Sequence, residues 1–224
     1  MEQQVLIIRK IEKITHNVLR FTLNNTNKIK FMPGQAAELA VDKDGWRDKR
    51  NPFTFTSLPF EDHLEFTIKI YPDHNGVTNE LSKLEVGDKI ILKSVFGAIQ
   101  FEGKGTFIAG GAGVTPFISI IRDLHQKGNL KGNRLIFANS TQIDIINKNE
   151  FESILGDNFL NILSREEVDP YSHGRIDTAY LKDNITSPED YFYICGPEPM
   201  MDTVEDSLKE LGVEEDKIVK EVFN

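Results

Sequence analysis

A glycine-rich segment, residues 110–116 with the sequence GGAGVTP, stands between a strand-like run and an amphipathic run. Glycines at such a point let backbone N–H groups approach a phosphate closely, and the start of a helix adds partial positive charge. The segment departs from the full dinucleotide-binding fingerprint, because Pro116 stands in place of the third glycine. It therefore predicts either a phosphate-binding turn or an ordinary tight connection between a strand and a helix.

Ser164 and Arg165 directly follow another strand-like run, FLNIL. In open α/β sheets, ligands bind at the edge formed by the carboxyl ends of the strands. An arginine at that edge can hold the 2′-phosphate of NADP through charge-assisted hydrogen bonds. The alternative is a solvated arginine that pairs with Glu166 or Glu167.

The single cysteine, Cys195, ends the run YFYIC and is followed by Gly196 and Pro197. Gly196 permits a sharp turn, and Pro197 suits the entry to a helix. A cysteine at the end of a strand is usually buried packing, but this one falls at the predicted ligand-binding edge. One cysteine excludes an internal disulfide, a zinc site built from several cysteines and a four-cysteine iron–sulfur cluster, and we expect no metal site.

In the first half of the chain, residues 50–57 (RNPFTFTS) alternate aromatic with hydroxyl side chains. On a strand, Thr54 and Thr56 would share one face, and Phe53 and Phe55 would share the other. The hydroxyls and nearby backbone groups could bind a flat heteroaromatic ring while an aromatic side chain stacks on it. The alternative is an ordinary strand.

Strand-like runs fill the first half, at residues 5–11, 18–23, 36–41, 52–57, 64–71 and 89–93. They are rich in β-branched and aromatic residues and are separated by turn signals. Strands at this spacing predict an antiparallel barrel. A short helix interrupts them near residues 76–78 (GVT), and its glycine-led start could hold an anion or be a turn only.

In the second half, strands and helices alternate, which predicts a parallel sheet with helices on both faces. The predicted strands cover residues 106–109, 135–138, 159–163, 191–195 and 217–223. The predicted helices run from Thr115 to Gly128, through Ile145 to Gly156 and from about Glu198 to Leu211. Thr115 can cap the first of these helices, and Pro116 fits its first position.

The 224 residues carry a net charge of −9, and 39% of them are hydrophobic. Residues 1–103 are electroneutral and residues 104–224 carry the whole excess of acid, which favours two domains. An acidic total argues against nucleic-acid binding. No apolar run approaches the length of a membrane helix, and the first residues lack the features of a signal peptide, so we expect a soluble cytoplasmic protein without membrane insertion.

Five segments follow one another in the order PFTFTS, GVTNEL, GGAGVTP, SRE and CGPEPM, and MPGQ at residues 32–35 precedes them. This order resembles the ferredoxin–NADP reductase superfamily, and within it the small flavodoxin/ferredoxin-reductase-like and flavin-reductase-like enzymes. The resemblance covers essentially the whole chain. It implies a two-domain fold: an antiparallel Greek-key β-barrel that binds flavin (residues 1–103), followed by an α/β parallel-sheet domain that binds NAD(P) (residues 104–224).

The resemblance also implies the cofactors, FAD and NADPH, with NADH possible, and the residues that bind them. Phe53 matches the aromatic that stacks on the flavin, and Thr54 matches the hydroxyl residue beside flavin N5. The other implied flavin-binding residues are Arg50, Pro52, Ile70, Tyr71, the pyrophosphate-binding Gly76, Val77 and Thr78, and the covering aromatic Phe223. The implied nucleotide-binding residues are Gly111, Gly113 and Thr115, the 2′-phosphate pair Ser164 and Arg165, and Cys195, Gly196, Pro197 and Met200 in the motif beside the nicotinamide. Thr54, Cys195 and Glu221 are implied to lie near enough to influence hydride transfer.

One position departs from the family pattern. The arginine that the family places two residues before the stacking aromatic is Asn51 here, and Arg50 lies one residue further back. Either a small bulge brings Arg50 to the flavin phosphate, or another group such as Lys69 binds that phosphate. FMN stays open as an alternative to FAD.

The activity implied by the resemblance is hydride transfer from NADPH to FAD, followed by electron release to a separate acceptor such as ferredoxin or flavodoxin. The basic residues of segment 43–50 could receive an acidic carrier, although the aspartates in and beside it make a mixed-charge surface loop the alternative. Other functions also stay open: an NAD(P)H:free-flavin reductase, an electron-transfer subunit of a larger complex, and a non-catalytic nucleotide-binding sensor.

Overall fold

The computed structural model describes residues 3–97 and 99–220. Its first half forms a six-stranded antiparallel sheet in the order β4-β3-β6-β1-β2-β5. The strands are β1 (Gln4–Thr15), β2 (Val18–Asn24), β3 (Ala36–Val41), β4 (Asn51–Thr54), β5 (His63–Lys69) and β6 (Lys89–Phe96). Phe55, directly after β4, pairs with Phe66 of β5 and so joins the two outer strands. The sixth strand lies beside the first, and the predicted Greek-key barrel is confirmed.

Aromatic and aliphatic side chains fill the barrel. Phe31 and Phe55 stack with their ring centroids 4.1 Å apart, and Phe66 packs against Phe55. On β5, Phe66 packs inside the barrel, and Glu65 and Thr67 on the opposite face are buried as well. The outer face of β5 is therefore covered by another part of the chain. A single short helix, α1 (Val77–Leu81), follows β5.

The second half forms a six-stranded parallel sheet in the order β10-β9-β8-β7-β11-β12. The strands are β7 (Gly105–Gly110), β8 (Arg134–Asn139), β9 (Phe159–Leu163), β10 (Ser172–His173), β11 (Tyr191–Cys195) and β12 (Ile218–Lys220). The helices are α2 (Thr115–Gln126), α3 (Lys148–Leu155), α4 (Thr178–Asn184) and α5 (Glu198–Glu210). The predicted α/β arrangement is confirmed.

Alternate residues along the parallel strands enter two separate cores. Phe107 and Phe137 pack into the cluster that contains Phe117 of α2 and Phe151 of α3. The neighbouring residues Ile108 and Ile136 pack into the cluster with Leu181 of α4 and Leu208 of α5. The helices accordingly cover both faces of the sheet, as the alternation of strands and helices predicts.

The barrel and the parallel sheet are packed against each other. Val18, at the start of β2, belongs to the apolar cluster beneath α2 and α3, as does Ile99. The backbone N–H of Gly34 donates to Ser119 Oγ of α2 at 3.0 Å. Across the described residues, none of the helices combines the length and the apolar character that crossing a bilayer requires.

The structure differs from the sequence prediction in several details. Helix α2 begins at Thr115 as predicted, but its N-cap is Val114 and not Thr115, because residues 111–114 form a 3-10 turn. Helix α3 begins only at Lys148, because Asn147 before it has a left-handed backbone conformation with φ of 54°. Strand β10 and helix α4 were not predicted; α4 is capped by Asp177, whose carboxylate accepts a hydrogen bond from Tyr180 N at 2.8 Å.

Candidate functional site

The carboxyl end of β7 lies at the point where the strand order of the parallel sheet reverses. Strand β8, next along the chain, pairs on one side of β7, and β11 pairs on the other. The chain leaves β7 through the glycine-rich segment 110–116 and leaves β11 through Cys195, Gly196 and Pro197. Such a reversal opens a crevice at the carboxyl ends of the strands, which is where open α/β sheets bind ligands. Two of the predicted motifs therefore flank one crevice.

Gly113 fits against the end of β11 without space for a side chain. A Cβ atom at Gly113 would lie 2.2 Å from the carbonyl oxygen of Cys195 and 2.7 Å from Gly196 N. Any other residue would push the glycine-rich segment away from β11. The close approach of two backbone segments therefore explains why the motif has a glycine at position 113.

Gly111 has a different environment. Its φ is +52°, and a Cβ atom there would meet nothing closer than Lys69 Nζ at 4.0 Å. Lys69 is the last residue of β5, so a cation of the barrel lies beside the glycine-rich segment of the parallel sheet. Within residues 3–97 and 99–220, no side chain caps the first turn of α2. Open glycine backbone, uncapped N–H groups and an ammonium group together fit the phosphates of a dinucleotide.

Thr115 closes the turn before α2. Its Oγ1 donates to the carbonyl oxygen of Ala112 at 3.0 Å, so the hydroxyl stabilises the 3-10 turn and does not cap the helix. Met200, four positions after Gly196, lies on α5 and packs against the apolar cluster beneath β11. Its backbone N–H donates to Pro197 O at 2.9 Å, which fixes the entry to that helix.

Ser164 and Arg165 lie at the neighbouring carboxyl edge. Their backbone N–H groups donate to Asn139 O and Ser140 O, each at 3.0 Å, so the ends of β8 and β9 are held side by side. Both residues are exposed. The carboxylate of Glu166 accepts from the backbone and side-chain nitrogens of Gln142 at 2.7 and 3.0 Å.

Arg165 makes no ion pair among the described residues, so the alternative of a pair with Glu166 or Glu167 is not found. An exposed guanidinium at this edge can bind a phosphate group.

On the barrel, Phe53 and Thr54 are the half-buried end of β4, where they pair with Ala37 and Ala36 of β3. The partly buried side chain of Phe53 packs against the apolar core of the barrel. Pro52, before them, is exposed. Aromatic and hydroxyl groups thus stand together at the rim of the barrel.

The predicted flavin-binding residues after β5 differ in their exposure to solvent. Ile70 is buried, and its N–H donates to Asn17 O at 2.8 Å. Tyr71 is exposed and stacks on His74 with ring centroids 5.7 Å apart. Gly76 is the N-cap of α1, Val77 is buried, and Thr78 is half-buried.

The structure shows where Asn51 and Arg50 lie, at the position that departs from the family pattern. Strand β4 pairs with β3 in regular register from Asn51 to Thr54, without a bulge, and Asn51 is exposed. Arg50 lies before the strand, with Nη2 at 3.5 Å from Gln3 Oε1. Its Nε is buried and has no hydrogen-bond partner among the described residues. Among the described residues Arg50 therefore has an N–H without a partner, but the bulge that would move Arg50 one position along the strand is not found.

Glu221 and Phe223, the two remaining predicted site residues, lie outside the described residues.

Three of the four basic residues of segment 43–50, all except Arg50, are paired with acids or with an aromatic ring. Arg47 binds Asp42 at 2.7 Å and also binds Asp44. Lys43 binds Glu80, and Lys49 Nζ lies 4.2 Å from the centre of the Trp46 ring. The segment is a mixed-charge surface loop, which is the alternative that its composition left open.

Sequence reasoning missed Arg122 on α2, seven residues after Thr115. Its Nη1 donates to Thr56 O at 2.7 Å and to Glu65 Oε1 at 2.8 Å. Burial raises the pKa of Glu65, but the charges of Arg122 and Arg20 outweigh burial and hold that pKa below its ordinary value. No local pattern links Arg122 to Glu65, 57 residues away.

Two protein-family models match the chain. The oxidoreductase FAD-binding domain matches residues 5–101, and the oxidoreductase NAD-binding domain matches residues 107–206. They correspond to the barrel and to the parallel sheet with its crevice.

Comparisons that cover most of this chain agree. The electron transfer component of anthranilate 1,2-dioxygenase from Acinetobacter baylyi is 25% identical over 97% of this chain, which spans 66% of that relative's length. NADH-cytochrome b5 reductase 2 from Xenopus laevis is 26% identical over 91% of this chain and 83% of its own. The crystal structure of a ferredoxin NADP+ reductase from Neisseria gonorrhoeae with bound FAD and NADP has the same fold, with a TM-score of 0.85, 19% identity and coverage of 99% and 98% of the two chains. The chain therefore belongs to the ferredoxin–NADP reductase superfamily, as a FAD-binding oxidoreductase domain followed by an NAD-binding oxidoreductase domain.

Proposed function

We propose that this protein is a flavin-dependent NAD(P)H oxidoreductase that passes electrons from NADPH, through bound FAD, to a separate acceptor. The observation that carries the proposal is the position of Lys69 of the barrel beside Gly111 of the parallel sheet. This proximity supports a nucleotide site that faces the rim of the barrel, where we expect Phe53 and Thr54 to bind the flavin. When bound, NADPH supplies a hydride, and FAD accepts it and later releases the electrons.

The residues of the chain bind and orient the two groups. Gly111 and Gly113 let the backbone approach a pyrophosphate, and Lys69 adds a positive charge from the opposite domain. Ser164 and Arg165 bind the 2′-phosphate, which favours NADPH over NADH. Because hydride transfer needs two rings in contact, the main contribution of the protein is to hold them in that geometry.

The flavin residues are proposed on the same basis. Phe53 stacks on the flavin ring, and Thr54 hydrogen-bonds near its reactive nitrogen. Arg50, through its partnerless Nε, and the start of α1 at Gly76 bind the flavin phosphates. Cys195 lies at the mouth of the crevice, where it limits the position of the nicotinamide. The domain boundary that fits this assignment lies near residue 104.

The acceptor is proposed from the relatives. Their names describe reductase components that deliver electrons to an oxygenase or reduce cytochrome b5. We infer that this chain also serves a separate redox protein, such as a ferredoxin or flavodoxin.

A second candidate function is reduction of free flavin. It is favoured by exposed Asn51, which stands where the family has a phosphate-binding arginine. A site with one cation fewer holds flavin phosphate less tightly, so flavin would exchange as a substrate.

The visible absorption spectrum of the purified protein, recorded anaerobically before and after addition of NADPH, tests these functions. A yellow protein that bleaches supports the reductase with bound FAD. A colourless protein that oxidises NADPH only when flavin is added supports the free-flavin reductase. Nucleotide binding without oxidation under either condition contradicts both and leaves a binding module.

A further inference from the structure

Five side chains form a closed ring of polar contacts between the two domains. Arg20 Nη2 donates to Asn147 Oδ1 at 2.6 Å, and Asn147 Nδ2 donates to Glu150 Oε2 at 2.9 Å. Glu150 binds Arg122 through two contacts of 2.5 and 2.9 Å, Arg122 binds Glu65 at 2.8 Å, and Glu65 lies 3.5 Å from Arg20 Nε. We call these residues the interdomain ring.

The interdomain ring crosses between the domains twice. Arg20 and Glu65 belong to barrel strands β2 and β5, whereas Arg122, Asn147 and Glu150 belong to α2 and to α3 with its N-cap. One crossing is the contact between Arg20 and Asn147, and the other is the contact between Glu65 and Arg122. Two crossings at different points restrict rotation of one domain on the other more than a single contact would.

The four charges of the ring alternate in sign and are largely shielded from water. The side chains of Glu65, Arg20, Arg122 and Glu150 are 11%, 15%, 19% and 27% exposed. The pKa of Glu65 lies below its ordinary value and that of Arg122 above, so both are charged at neutral pH. A buried charge is tolerated only when its partner is correctly placed. The ring therefore admits a narrow range of domain positions.

The ring is tied directly to the segment that carries Thr54. Arg122 Nη1 donates to Thr56 O at 2.7 Å, and Thr56 Oγ1 donates to Glu65 Oε1 at 2.8 Å. Arg122 also lies about two helical turns after Thr115, the first residue of α2, so about 10 Å of rigid helix joins it to the glycine-rich segment.

We propose that the interdomain ring positions the nicotinamide-binding segment against the flavin-binding strand, with Arg122 as the central positioning residue. The proposal rests on the proposed function. A displacement of about 1 Å between reacting groups can lower a rate by about 100-fold. Loosening the ring should accordingly slow hydride transfer, although its residues touch neither cofactor in this proposal.

The test is anaerobic stopped-flow reduction of the FAD-bound protein by NADPH. The variants are Arg122→Lys, which keeps the charge but loses the planar two-pronged contact, and Asn147→Gly, whose glycine tolerates the φ of 54°. Lys127→Gln, at the C-cap of α2, is the matched control, because Lys127 forms an exposed pair with Asp123. We expect Arg122→Lys to lower the limiting rate per bound flavin by about 10- to 100-fold and Asn147→Gly by about 3- to 10-fold. The Kd for NADPH should change less than about threefold, and the control should match the wild type.

A wild-type limiting rate in both ring variants, with or without lower thermal stability, would overturn the proposal, since the ring would then be structural only. An effect confined to the Kd for NADPH would overturn it too. If Arg122→Lys does not fold, Asn147→Gly decides the question alone. Failure of the wild-type flavin to be reduced would instead contradict the proposed function.

Discussion

The backbone of Gly113 lies so close to the carbonyl oxygen of Cys195 that a Cβ atom would come within 2.2 Å of it. This contact joins the first turn of the nucleotide crevice to the end of β11. Because the opposing atoms are backbone, they cannot move aside as a flexible side chain could.

We expect Gly113→Ala to separate these two segments and to raise the Kd for NADPH by at least about 10-fold, with FAD still bound. The reason is that overpacking of this kind forces backbone shifts, which typically cost about 1–3 kcal/mol. NADPH titration of the FAD-bound protein measures the effect. Gly128→Ala, just after α2, is the control, because no atom lies within 4 Å of the Cβ that this substitution adds. Equal Kd values for the two variants would contradict the interpretation of the crevice.

Lys69→Met should raise the Kd for NADPH by about 10-fold at low ionic strength, and the difference should shrink in high salt because ions screen the interaction. Titrations at two salt concentrations measure this change. Lys83→Met is the control, since Lys83 pairs with Glu80 on α1. Loss of FAD with unchanged NADPH binding would show instead that Lys69 binds the flavin phosphate.

Arg165→Leu should reduce the preference for NADPH over NADH by about 10- to 100-fold. The estimate follows from the loss of a charge-assisted hydrogen bond, worth about 1.5–3 kcal/mol. The ratio of kcat/KM for the two nucleotides, measured with an artificial acceptor, reports the change. Arg9→Leu, at an exposed position of β1, should leave the ratio unaltered. A ratio near unity in the wild type would contradict the assignment of the 2′-phosphate pair.

Glu65→Gln should change how stability depends on pH. The pKa of Glu65 is lower in the folded protein than its ordinary value, so the unfolded chain binds the proton more readily. Its ionised form therefore contributes stability above the unfolded pKa of about 4.3, and this contribution is lost as the pH falls through the folded pKa.

Two measurements follow for Glu65→Gln, both by urea unfolding. At pH 7 the variant should be destabilised by about 3–5 kcal/mol, because Arg122 and Arg20 lose a charged partner. Below about pH 4.3 its free energy of unfolding should fall less steeply than that of the wild type. Glu12→Gln, at a surface pair with Lys10, is the control. Parallel pH profiles for Glu65→Gln and the wild type would refute this account.

Much of the fold could be predicted because it follows from local periodicity. The buried runs at Phe159–Leu163 and Tyr191–Cys195 form strands with the predicted bounds. Short elements were missed: β10 has two residues, and α4 buries only Leu181. The run through Ile145 to Gly156 was predicted as helix from the spacing of its apolar residues, but Asn147 has a left-handed backbone conformation, so the helix begins only at Lys148.

The candidate site was predictable to the extent that its motifs are contiguous. The glycine-rich segment and the Cys195 motif could be assigned to strand ends, and the order of strands then places them at one crevice. Neither the proximity of Lys69 to the glycine-rich segment nor the interdomain ring could be predicted in this way. Arg20 and Asn147 are 127 residues apart, and only the packing of the two domains brings them together.

The apolar cluster shared by the domains limits how the chain can be dissected. A cut near residue 104 would expose Val18, which is 2% exposed in the intact chain. It would also leave Glu65 on the barrel without Arg122. We expect either half made alone to expose an apolar patch that promotes aggregation and to carry a charge without its counter-ion. In a chimera, the foreign domain would have to supply an apolar surface to cover Val18 and a cation to pair with Glu65. Although the two sheets are clearly separate, we therefore expect that neither domain can easily be exchanged for the corresponding domain of another protein.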